Sequence, residues 1–210
     1  MPRLSLAPPA PPALTATPLV RHAYAFAEHA HRGQRRKDGQ AYISHPVRVA
    51  RLLAGLGYDE HVLAAALLHD VVEDTAATLP EIRQAFGARI ALLVASVSED
   101  PSLHGAERKL AYREQVRVAP ADARAICAAD KVCNIEDLRV TAAAGDHVAL
   151  QRFHGGLHAQ AQRFTAELEM LCESGADPDL TDALRRSVLA LQAEARRLSI
   201  FVPVEHALAA

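Results

Sequence analysis

Four ionisable residues fall within the segment LLHDVVEDT, residues 67–75: His69, Asp70, Glu73 and Asp74. They follow HVLAAALL (61–68), a run so apolar on every side that it belongs at the centre of a domain. A spacing of four puts His69 above Glu73 and Asp70 above Asp74 on neighbouring stripes of a helix. Three carboxylates and an imidazole cannot be buried uncompensated, because unpaired buried charge is strongly destabilising. A divalent cation supplies the compensation. A helix end that has simply reached solvent would account for a His-Asp pair alone. The apolar run before the pair and the two further carboxylates after it tilt the reading towards a cation.

One His-Asp pair gives too few ligands, and two other segments offer more. His45 lies in YISHP, where Ser44 is placed to cap the following helix and Pro46 to sit in its first turn, fixing the direction of the imidazole. Asp130 lies in AADKVCN, with Asn134 one turn on and Asp137 a further turn. His45, His69, Asp70 and Asp130 together form a mixed nitrogen and oxygen set that suits Mn²⁺, Fe²⁺ or Zn²⁺. A cation held there acidifies a water, and Glu73 or Asp74 is spaced to orient that water or take its proton. Arg35, Arg36 and Lys37 form a compact basic run ahead of His45, suited to a diphosphate.

The order H…HD…D, with the HD pair on a helix, resembles the signature of HD-domain phosphohydrolases. The fuller set QRRKDGQAYISHP, AALLHDVVEDT and ADKVCN resembles the hydrolase domain of RelA/SpoT-type proteins, and specifically the small alarmone hydrolases. The resemblance covers residues from about 20 to about 155. It implies an all-α HD fold that cleaves the 3′-diphosphate of ppGpp or pppGpp, releasing pyrophosphate and GDP or GTP. It implies His45, His69, Asp70 and Asp130 as ligands of one Mn²⁺, with Zn²⁺ or Fe²⁺ as alternatives. It further implies Glu73 and Asp74 as the acidic pair handling the attacking water, Arg36 and Lys37 as basic residues beside the substrate, and Asn134 as a polar residue close to the nucleotide.

The chain also departs from that pattern. Gly105 stands where some relatives carry a lysine, and Val148 and Arg152 stand where they carry an arginine and a tyrosine. These positions belong to the family's substrate-recognition surface, so the catalytic core is better supported than the guanine assignment. Arg108, Lys109 and Arg152 are candidates to replace the missing contacts. An adenine alarmone, (p)ppApp, is therefore an alternative substrate and NADPH a weaker one; a catalytically silent nucleotide-binding HD protein is the alternative of a different class.

The elements that must position these residues are helical. Apolar spacing predicts helices from residue 19, over 47–53 up to Gly55, over 61–68, from a Thr78/Glu81 capping box to Gly87, over 90–97, and over 106–118, 121–140, 146–174 and 179–198. The expected organisation is a Pro/Ala-rich tail over 1–18, with six of the 12 prolines, a hydrolase domain over 19–198 and a C-terminal tail over 199–210. Half of the 210 residues are hydrophobic but only 4% are aromatic, so the core is built from Ala, Leu, Val and Ile. A net charge of -2 argues against a nucleic-acid polymer as partner, and no uninterrupted apolar run has the length of a membrane span. Cys127, Cys133 and Cys172 make no disulfide framework, which suits a reducing cytoplasm. A small nucleotide is the expected partner, and a homo-oligomer is compatible with it. The remaining histidines are read as surface or packing residues, His31 as a packing or hydrogen-bonding one.

Overall fold

The computed structural model describes residues 17–36, 39–143 and 156–201. These form an all-α fold of nine helices among the described residues: α1 (Pro18–Ala30), α2 (Ser44–Gly55), α3 (Glu60–Leu68), α4 (Val71–Asp74), α5 (Leu79–Val97), α6 (Gly105–Arg117), α7 (Ala121–Ala143), α8 (Gly156–Glu173) and α9 (Pro178–Phe201). An isolated antiparallel bridge between Arg35 and Ala41 closes the loop ahead of α2. Residues 1–16 of the expected tail, Lys37, the stretch 146–155 of the expected long helix, and residues 202–210 lie outside the described residues, whereas Thr17 and Pro18, expected in the tail, cap and open α1.

α3 occupies the centre, as its all-round apolarity requires, with every residue from Val62 to Leu68 buried. It packs against α1, α2, α5 and α7. The scarcity of aromatics is met by alanine: Ala50, Ala64, Ala65, Ala66, Ala128 and Ala129 are fully buried, and their small side chains allow close helix approach. Asp59 caps α3 by accepting from the His61 and Val62 N–H groups at 2.9 and 3.1 Å. The Thr78/Glu81 capping box forms as expected. The two short helices expected around Gly87 form as expected on either side of a break at Gly87, φ 86°, a backbone region that favours glycine, and are together labelled α5.

Two local expectations are corrected. Ser44 does not cap α2; it is the first helical residue, and Ile43 at the cap position makes no side-chain cap bond. Carbonyls of the preceding turn do that work: Ala41 accepts from Ser44 N–H and Tyr42 from His45 N–H, both at 3.0 Å. Nor does one regular helix run through LLHDVVEDT. α3 stops at Leu68 and α4 starts at Val71. The Ala66 carbonyl, which a continuing helix would offer to the Asp70 N–H, instead accepts from His69 Nδ1 at 2.8 Å. That interruption lies at the two residues that carry the site.

Candidate metal centre

The four nominated ligands come from three packed segments: His45 from the start of α2, His69 and Asp70 from the α3–α4 junction, and Asp130 from the middle of α7. The contact of α7 with α2 and α3 brings them together. His45 Nε2 lies 2.9 Å from Asp130 Oδ1 and 3.7 Å from Asp70 Oδ2. His69 Nε2 lies 3.1 Å from Asp70 Oδ1 and 3.5 Å from Asp130 Oδ1. Donor atoms of His45, His69 and Asp70 all fall within 4.8 Å of one another, a group able to hold a metal ion.

The donor chemistry fits a divalent cation. His69 is buried and its Nδ1–H is committed to the Ala66 carbonyl, which leaves the Nε2 lone pair aimed at two carboxylates. That Nε2 is buried and has no hydrogen-bond partner. A lone pair facing carboxylate oxygens is repulsive unless a proton or a cation stands between them. Burial alone would make the imidazole less basic, but the charges of Asp70 and Asp130 override it and push His69 up to about 9.

Asp130 is the hinge of the electrostatics. Its Oδ1 faces the imidazoles and accepts from Asn134 Nδ2 at 2.7 Å, while its Oδ2 accepts from Lys131 Nζ at 2.8 Å. Burial disfavours the carboxylate, yet Lys131 and the two imidazoles hold it well below the usual range. Lys131 is held protonated in turn by Asp130, against its own burial, with its ammonium 5.2 Å from the Tyr112 ring.

The centre opens into a cavity of about 200 Å³. Glu73, Arg36 and Asn134 line it; Asp74 does not, and instead accepts from the Tyr42 hydroxyl at the edge of the site. Glu73 accepts from the Glu99 N–H at 2.8 Å. Partial burial, with the negative charges of Asp70 and Glu99 adding, pushes the Glu73 carboxyl up to about 7, while the residue keeps an exposed edge through which protons can exchange with water. Arg36 donates to Asp137 and, at 3.4 Å, to Asn134 Oδ1. Asp137 also takes Arg48, so one carboxylate clasps two guanidinium groups. Arg35 turns away to the Gly39 carbonyl at 2.7 Å and is not among the cavity residues.

Sequence reasoning missed Tyr42, whose hydroxyl lies 2.8 Å from Asp70 Oδ2 and also reaches Asp74. Its signal was its place three residues before His45. Burial and the two carboxylates raise its pKa far above normal, so it remains a donor. His31, as expected, packs: it stacks on Tyr42 at 4.4 Å and bonds to Gln34 through Nδ1 at 2.7 Å. Glu99, Lys109, Tyr112 and Arg163 also border the cavity, and of these only Lys109 was singled out in advance. If Asp70 holds the divalent ion, Tyr42→Phe is expected to leave the fold intact and weaken divalent-metal binding by about 10- to 100-fold, as loss of an outer partner of a ligating carboxylate does; titration calorimetry with a divalent metal salt reads this directly.

A profile of the HD-domain family matches residues 23–160, a span that holds every nominated residue. The chain belongs to the HD-domain family. As an HD domain it carries a site for a divalent metal ion, in keeping with the His45, His69 and Asp70 group. This HD domain is 48% identical over 118 residues to the mouse guanosine-3′,5′-bis(diphosphate) 3′-pyrophosphohydrolase MESH1, which covers 54% of this chain and 65% of that protein. The chain thus spans just under two thirds of the length of that relative, and only 18% of the Aquifex aeolicus guanosine-3′,5′-bis(diphosphate) 3′-pyrophosphohydrolase, to which it is 40% identical over 124 residues. Among solved structures, a metazoan ortholog of SpoT described as hydrolysing ppGpp superimposes with a TM-score of 0.68 at 29% identity, covering 83% of this chain and 96% of that one. The Listeria monocytogenes protein lmo0812 superimposes with a TM-score of 0.63 at 33% identity, covering 71% of this chain and 99% of that one. No helix among the described residues is long and apolar enough to cross a membrane.

Proposed function

We propose that this HD domain is a small alarmone hydrolase that removes the 3′-diphosphate of ppGpp or pppGpp as pyrophosphate, leaving GDP or GTP. The observation that carries the reading is the convergence of His45, His69, Asp70 and Asp130 with Glu73 and Arg36 on one cavity. Relatives named as 3′-pyrophosphohydrolases of guanosine 3′,5′-bis(diphosphate) support the substrate class. We assign His45, His69, Asp70 and Asp130 as ligands and Mn²⁺ as the ion.

A cation in this set would polarise the phosphoryl oxygen and lower the pKa of a nearby water. Glu73 takes the proton of the attacking water, since its raised pKa matches a base working near neutral pH. Asp74 acts one step further out, through the Tyr42 hydroxyl it shares with Asp70. Arg36, oriented by Asp137, offers its guanidinium to the diphosphate, with Asn134 beside it; Lys37, next in sequence, is the second basic residue of this reading. The substrate is a soluble nucleotide, which accords with a cytoplasmic setting.

The adenine alarmone is a second reading, favoured by a specific feature. Gly105 begins α6 with no side chain to offer, and Lys109 is spent on Glu99. The deciding experiment is turnover of ppGpp, ppApp and NADPH side by side with Mn²⁺, measuring pyrophosphate and orthophosphate. Pyrophosphate from ppGpp in excess of the others is the expected result. Preference for ppApp would replace the guanine assignment, and tight nucleotide binding without product would make this a silent binding protein.

A further inference from the structure

Among the described residues, Arg36, Lys109, Lys131 and Arg163 border the cavity, and they are not equivalent. Arg36 is bonded to Asp137, Lys109 to Glu99, and Lys131 to Asp130. Arg163, projecting from α8, is different. Its carboxylate partner among the described residues, Glu167, stands off at 3.9 Å from Nε, and that Nε is buried without a hydrogen bond. Glu167 is itself buried, 5% exposed, and its Oε2 has no hydrogen-bond partner. The Arg163 guanidinium lies over the Phe164 ring at 4.8 Å, and that ring is fully buried. A guanidinium over a buried ring, with its carboxylate partner 3.9 Å away, retains donors that the described residues do not satisfy. The natural acceptor for those donors is a phosphate.

We infer that Arg163 is a substrate-binding and specificity-determining residue that grips the phosphate group of the nucleotide which is not cleaved, the 5′-diphosphate of an alarmone, with Glu167 as its positioning residue. The inference rests on the alarmone reading. The metal-centre donors and Arg36 account for the 3′-diphosphate, and Arg163 makes no ion pair with any of the four donors among the described residues. Its contact therefore adds to binding without entering the chemistry, and the energetic signature of such a contact is a change in KM at constant kcat. α8 runs from Gly156 to Glu173, so Arg163 lies beyond the stretch matched by the family profile, which ends at residue 160.

The test is steady-state kinetics of the Mn²⁺-loaded full chain, with R163Q and R163K beside the unaltered protein. A charge-assisted fork to phosphate predicts that R163Q raises KM for ppGpp, and the inhibition constant of GDP, by about 10- to 100-fold while kcat stays within about threefold. R163K, a point charge without the fork, recovers part of the loss. For guanosine 3′-diphosphate, which has no 5′-phosphates, R163Q and the unaltered protein should share one KM. An unchanged melting temperature shows that R163Q is folded. Equal KM values for ppGpp, or a loss confined to kcat, overturn the role of Arg163 and leave the alarmone reading standing. Absence of ppGpp turnover by the unaltered protein overturns both.

Discussion

His69→Ala is expected, on the alarmone-hydrolase proposal, to abolish cation binding and lower pyrophosphate release by at least about 10³-fold, because the cation's share of transition-state stabilisation is several kcal/mol and each 1.36 kcal/mol is tenfold. The size follows from how the imidazole is held. Nδ1 is given to the Ala66 carbonyl and Nε2 faces Asp70 and Asp130, so alanine removes a nitrogen already aimed at the centre. Asp70→Asn should act in the same direction, since it replaces the carboxylate of a proposed ligand by a neutral amide and leaves the Tyr42 hydroxyl with a weaker acceptor. Two measurements separate loss of the ion from loss of the fold. Melting of the unaltered protein should rise with Mn²⁺, by the equivalent of about 2.7 kcal/mol at a hundredfold excess over the dissociation constant. The variant should melt cooperatively but ignore Mn²⁺. A His69→Ala protein that keeps the Mn²⁺-dependent rise would remove His69 from the ligand set.

Lys131→Met is expected to destabilise the cation-free protein by about 3–5 kcal/mol, the cost of stranding a buried partner charge. Lys131 Nζ sits 2.8 Å from Asp130 Oδ2, and Glu167 lies close enough to raise its pKa. Methionine fills much the same volume, so the loss measures charge rather than packing. On the proposed ligand set, bound Mn²⁺ would give Asp130 another positive partner, and the deficit should shrink. Chemical denaturation with and without Mn²⁺ reads both numbers. A deficit below about 1 kcal/mol without the ion would mean that Asp130 is stabilised chiefly by the imidazoles and Asn134.

The legible part of the site is local in character. HVLAAALL could only be a central helix because no face of it tolerates water, and a His-Asp pair at its end had to be compensated. His45 and Asp130 were readable as further donors because each followed a segment with an evident helical start or an apolar face. What misled was finer backbone detail. Ser44 looked like a cap, but the turn before it supplied carbonyls instead, and LLHDVVEDT looked continuous until the His69 imidazole claimed the Ala66 carbonyl.

Residue type and spacing by themselves determined the all-α class, the buried central helix, and a two-histidine, two-carboxylate set with Glu73 beside it. Only the tertiary structure decided which outlying residues meet that set. Tyr42 reaches Asp70 and Asp74, 28 and 32 positions away. Asp137 clamps Arg36 from 101 positions away. Arg163 arrives from a helix whose sequence carries no motif at all. The physical reason is that periodicity reports which face of a helix is buried but not which neighbour covers it. Packing of α7 against α2 and α3 settles that choice and turns scattered donors into one centre.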